Sequence, residues 1–145
     1  MKLRPLLFLV SLFLFSIHAF GQSDTIVKKK YQVSQGAGYA QAVLVDNVLY
    51  ISGTVASGDM AAQLKGAYTG IEKTLKAYGA NFQNVVKENL YTTDIEAVKS
   101  NNEVRKAFYK GDYPAATWVQ ISRLFMPQAL VEVEVIAHLP ANKTK

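Results

Sequence analysis

An α+β fold, a single sheet with both helices on one face, is predicted by three features of the chain. Strand-like runs bracket two longer helical stretches in the order β-β-α-β-α-β-β. Met60 to Tyr78 carries apolar residues at three- and four-residue spacing, the pattern of a helix with one buried side. Leu130 to Ala137 alternates, with Val131, Val133 and Val135 on one side and Glu132 and Glu134 on the other, the pattern of a strand with one face on a core. Half of the 145 residues are apolar and 19% are charged, which suits one packed domain and not two.

The chain opens with a basic Met1–Arg4, a 12-residue apolar run from Leu6 to Ile17, and the small-x-small triplet Ala19-Phe20-Gly21. This layout predicts a signal peptide over residues 1–21. The apolar run is shorter than the roughly 20 residues that span a bilayer, so an exported protein, periplasmic or secreted, with no membrane attachment after cleavage is expected. Cleavage removes Lys2 and Arg4 and leaves 14 basic against 11 acidic residues, a net charge of +3. Three of those positives are Lys28, Lys29 and Lys30, in a polar segment (22–35) expected to be loosely held ahead of a domain over 36–145. The balance therefore reads as a solvated linker and not as a nucleic-acid surface. The absence of cysteine excludes a thiol nucleophile and thiolate metal ligands. His138 is the single histidine after cleavage, which argues against a metal site. Without a G-x-S-x-G turn, a Ser-His-Asp triad is not expected either.

Tyr39–Val45 and Val48–Ser52 form a predicted hairpin across Asp46-Asn47, with room for one more short strand before Tyr39. Asp59 is the expected N-cap and Gly79 the stop of the first helix, which turns Leu64, Ala67, Tyr68, Ile71, Leu75 and Tyr78 inward. Asn84–Thr93 is a strand. Asp94 caps a second helix from Ile95 to Tyr109, with Val98, Val104, Ala107 and Phe108 inward and Gly111 as its stop. Asn101 and Asn102 border that stripe, either as a solvated edge or as an amide that organises a nearby loop. Ala115–Arg123 is the next strand, with Ala116 and Trp118 on one face and Thr117 and Val119 on the other. Nothing remains in the 124 residues after residue 21 to cover the sheet's second face, so self-association is expected.

Four short stretches carry a resemblance. They are Gly38-Tyr39; Ile51-Ser52-Gly53, with Thr54 at a glutamine position; Asn102-Glu103-Val104 through Phe108-Tyr109, with Arg105 at a tyrosine position; and Pro114-Ala115, Val119, Ser122, Leu124 and Val131-Glu132. Their order and spacing resemble the Rid family (reactive intermediate deaminase, YjgF-like) from about Gly38 to Pro140. The resemblance implies a chorismate-mutase-like fold and a homotrimer, whose sheets form a central barrel with ligand clefts between subunits. In active members it implies cofactor-free hydrolysis of 2-iminobutanoate and 2-iminopropanoate to keto acid and ammonia. It implies Glu132 as the carboxylate that orients water, Tyr39 as the residue that closes the cleft, and Ser52, Gly53 and Asn102 as further substrate contacts.

An arginine follows Pro-Ala in the family, where its fork can hold the substrate carboxylate. Here that position is Ala116. The loss is worth roughly 1.5–3 kcal/mol per charged hydrogen bond. Arg123 is no replacement, because it points to the opposite face and lies about 23 Å along the strand. Lys106 and Lys110 belong to the helix layer. Two placements are open for Trp118: a cleft wall suited to an apolar or aromatic ligand, or a packing residue in the trimer interface. Two functions follow. One is a hydrolase acting on the C=N bond of a neutral or apolar imine through Glu132. The other is a non-catalytic periplasmic protein that binds a small metabolite or serves as a scaffold.

Overall fold

The computed structural model describes residues 26–140; the expected signal peptide over 1–21 lies outside the described residues. The sheet has six strands in the order β1-β2-β3-β6-β4-β5. They are β1 (Lys28–Ser34), β2 (Tyr39–Val45), β3 (Val48–Thr54), β4 (Val85–Thr92), β5 (Ala115–Gln120) and β6 (Val131–His138). The helices are α1 (Met60–Ala77), α2 (Ile95–Ser100) and α3 (Asn102–Tyr109). Neighbouring strands are antiparallel except β4 and β5, which α2 and α3 connect as a parallel pair.

Local chemistry sets the element ends. Asp46 turns the β2–β3 hairpin with a φ of 52°. The Asp59 carboxylate accepts the Ala62 N–H at 2.9 Å and starts α1; Gly79, at φ 68°, ends it. Asp94 starts α2 in the same way through the Ala97 N–H at 2.9 Å. The predicted stripe of α1 packs on the predicted inner face of β6: Leu64, Ala67, Tyr68, Ile71 and Leu75 join Val131, Val133 and Val135 in the core. Each large aliphatic side chain buried there contributes about 1.5–3 kcal/mol.

Three expectations need correction. Residues 28–34 are not loosely held: they form the edge strand β1, paired with β2 from Lys28–Val45 to Ser34–Tyr39. The ring of Tyr31 sits edge-on against Tyr78 at 5.8 Å and fastens this strand to the end of α1. Its lysines guard an edge that would otherwise invite further pairing. The second helix is split at Asn101; it buries Val98, Arg105 and Tyr109 and packs Val104 and Phe108 half-buried against the core, whereas Ala107 is exposed. Arg105 turns inward because a buried carboxylate waits for it on β4. Finally, β5 ends at Gln120 and not at Arg123.

Candidate functional site

Tyr39, Ser52, Gly53 and Glu132 line one cavity of about 570 Å³, together with Phe125 and Met126. Glu132 points away from the core because β6 alternates, and β3 bends beside it at an irregularity between Ile51 and Thr54. Gly53 lies directly beneath the carboxylate: a Cβ added there would fall on Oε1 of Glu132. A glycine is thus what allows this carboxylate to lie across the strand. Ser52 Oγ donates to the Ala40 carbonyl at 2.7 Å and ties the cavity wall to the strand that carries Tyr39. Burial, reinforced by Glu134, raises the proton affinity of Glu132 above the ordinary carboxylate range.

Phe125 and Met126 had no signal in the sequence, since they sit in an aperiodic loop between β5 and β6. That loop is anchored by the buried Gln63 of α1. Its Nε2 donates to the carbonyls of Gly58 at 2.9 Å and Gln128 at 3.1 Å, and its Oε1 accepts the Leu130 N–H at 2.7 Å. Phe125 is 90% exposed at the cavity mouth.

The other predicted site residues lie elsewhere. Ala116 and Trp118 are register partners of Glu88 and Leu90, so they share the helix-facing side of the sheet. Glu132 pairs with Tyr91, which pairs with Val119, and these occupy the opposite side. The sheet therefore separates Ala116 and Trp118 from the cavity of their own chain. Trp118 faces the helix layer of its own subunit. Its Nε1 donates to Glu88 Oε1 at 3.0 Å, inside its own subunit. Ala116 is exposed on the edge strand. Asn102 begins α3, and its Oδ1 is the one buried side-chain polar atom without a hydrogen-bond partner among the described residues.

Between these residues runs a polar network that sequence reasoning missed. Glu88 is fully buried and accepts four hydrogen bonds. Oε1 takes Arg105 Nε at 2.9 Å and Trp118 Nε1; Oε2 takes the hydroxyls of Tyr68 at 2.9 Å and Tyr109 at 2.6 Å. Burial and then the Glu88 charge push both tyrosine hydroxyls well above their ordinary range, so they act purely as donors. Among the described residues no three His, Cys, Asp or Glu side chains gather where they can share a metal ion.

Comparisons with known proteins show the family and the fold. Residues 29–139 match the family model described as endoribonuclease L-PSP. The chain is 36% identical over 109 residues to the human 2-iminobutanoate/2-iminopropanoate deaminase, covering 68% of this chain and 78% of that protein. It is 32% identical over 128 residues to the Rattus norvegicus deaminase of the same name, covering 79% and 92%. A crystal structure of a YjgF-family protein from Mycobacterium tuberculosis superposes with a TM-score of 0.69 at 32% identity, over 79% of this chain and 98% of that one. A YjgF-family structure from Neisseria meningitidis shares the fold with a TM-score of 0.72 at 23% identity, over 79% and 97%.

Proposed function

The chain belongs to the Rid (YjgF-like) family, and on that premise we propose that it hydrolyses imines or enamines to a carbonyl compound and ammonia, in a pocket completed by a neighbouring copy of itself. The observation that carries this reading is the Glu132 carboxylate seated on Gly53 inside a cavity with Tyr39 and Ser52. Water held by Glu132 attacks the carbon of the protonated imine. As the C–O bond forms, Glu132 takes the water proton and the C=N electron pair moves onto nitrogen. Glu132 returns that proton to nitrogen and then takes the hydroxyl proton as the C–N bond breaks, leaving a carbonyl and ammonia. The raised proton affinity of Glu132 suits these transfers. No cofactor enters this scheme.

The assembly we propose is a homotrimer. The open face of the sheet, with Val43, Tyr50 and Ile136 beside Lys87, Asn89 and Glu134, would turn toward the centre. The cavity of one copy would then meet the edge of the next, where Asn102 and Ala116 lie. Export through the segment 1–21 belongs to the same proposal, and N-terminal sequencing of the secreted protein tests it. A second reading, binding without catalysis, is favoured by Ala116, because β5 offers no cation there.

The test is ammonia release from freshly generated 2-iminopropanoate and 2-iminobutanoate. Turnover that disappears in Glu132→Ala supports hydrolysis. An inert wild type that gains turnover in Ala116→Arg supports the binding reading. Turnover indifferent to Glu132→Ala overturns the assignment of the site.

A further inference from the structure

We propose that Arg105 anchors the ligand's carboxylate, presented from α3 in place of the side chain missing at 116, and that Asn102 accepts a hydrogen bond from the same ligand. This rests on the reading above, and it makes the ligand a 2-imino acid and not a carboxylate-free imine.

Arg105 meets Glu88 side-on, through Nε alone. Among the described residues neither terminal nitrogen of its guanidinium has a hydrogen-bond acceptor. Nor does either count among the buried polar atoms without a partner, so the fork of N–H groups meets solvent although the side chain is 7% exposed. The rings of Tyr109, Trp118 and Tyr113 stand 4.7, 5.1 and 5.6 Å from the guanidinium carbon and fix its plane. A rigid guanidinium with a free end is a pre-oriented carboxylate receptor, because two parallel N–H groups match two carboxylate oxygens.

The position is right for the task. Glu88, which holds the arginine, is the register partner of Ala116. The small, exposed side chain at 116 adds no bulk next to that strand position. Asn102 lies three residues before Arg105 on α3, hence on the same side of the helix. An unpaired buried acceptor costs about 1–3 kcal/mol, a cost that an N–H from the ligand removes. A donor fork beside a lone acceptor complements a molecule with a carboxylate next to an N–H.

The negative charge of Glu88 opposes a second carboxylate. Its two oxygens, however, are already saturated by four donors, two of them phenolic and one indolic. Burial would weaken the proton affinity of Arg105, but Glu88 with Tyr68 and Tyr109 outweighs it, so the fork stays charged.

The experiment compares 2-iminobutanoate with the imine of butanone, and the binding of 2-oxobutanoate with that of butanone. Arg105→Lys keeps the charge but loses the fork; Arg105→Tyr combined with Glu88→Gln removes both charges without stranding one. Each should lower kcat/KM for 2-iminobutanoate by about tenfold or more, chiefly through KM, and lower that for the butanone imine far less. Adding Ala116→Arg to the double variant should restore 2-iminobutanoate turnover. Equal loss on both imines, or no loss on either, overturns the anchor. If the wild type hydrolyses only the butanone imine, the anchor fails while the hydrolytic reading stands. If it hydrolyses neither, 2-oxobutanoate binding decides: binding lost in Arg105→Lys keeps the anchor and rejects hydrolysis, and no binding rejects both.

Discussion

Replacing Glu88 by alanine removes one carboxylate and leaves four donors without an acceptor. Arg105 would keep its charge in a nearly closed site, and the hydroxyls of Tyr68 and Tyr109 would face apolar neighbours. Removing one member of a buried ion pair costs about 3–5 kcal/mol. Dry hydroxyl and indole donors cost about 1–3 kcal/mol each, though such terms overlap when they share one acceptor. The expected loss is therefore at least about 4 kcal/mol, out of the 5–15 kcal/mol that holds a typical domain together. Urea unfolding, followed by far-UV circular dichroism and by the single tryptophan, measures it directly. Trp118 donates to Glu88, so its emission reports on the network itself. Glu88→Leu combined with Arg105→Met removes both charges and should recover most of the loss. A loss below about 1 kcal/mol for Glu88→Ala would show that these hydrogen bonds do not hold the core as described.

Other outcomes follow from the same geometry. Gly53→Ala forces the Glu132 carboxylate aside, since its new methyl occupies that place; turnover should fall by about tenfold or more with stability changed by less than about 1 kcal/mol, read by kinetics beside thermal melting. Glu132→Gln should stabilise the protein at pH 7, because the folded state raises the proton affinity of Glu132 and so penalises its ionised form. Stability carried by this group is complete below the ordinary glutamate value and is lost as pH rises through the raised one; the advantage of Glu132→Gln should therefore vanish below about pH 4 in melting curves. Gln63→Ala breaks three hydrogen bonds, two of which pin the 121–130 loop and one the turn at Gly58, and should cost about 2–3 kcal/mol. Hydrogen exchange in that loop should accelerate while α1 stays protected.

The alternation of Val131 to Glu134 and the stripe along α1 were legible because each is a local period imposed by one core face. Tyr39, Ser52, Gly53 and Glu132 were legible as short motifs, and the fold brings these four to one cavity. β1 was legible only as room for one short strand before Tyr39, because a run of three lysines has no apolar period; pairing with β2 and the contact of Tyr31 order it. The partners of Trp118 were hidden for a related reason. Its face follows from alternation, but its neighbours depend on Glu88, 30 residues earlier, and on Arg105 from a helix. Glu88 itself sits in a strand whose outer face is also polar, so nothing local distinguishes a buried carboxylate from an exposed one. Such long-range pairings leave no periodic trace in the chain.

The proposed division of the site between two copies can be tested by mixing subunits. On that proposal Glu132→Ala disables the cavity side, and Asn102→Ala disables the edge side. Each homomeric variant should release little ammonia from 2-iminobutanoate. Unfolded together in equal amounts and refolded, they should regain activity, because about a quarter of the clefts in a random symmetric assembly pair an intact cavity with an intact edge. A mixture no more active than its two parents would contradict a shared site.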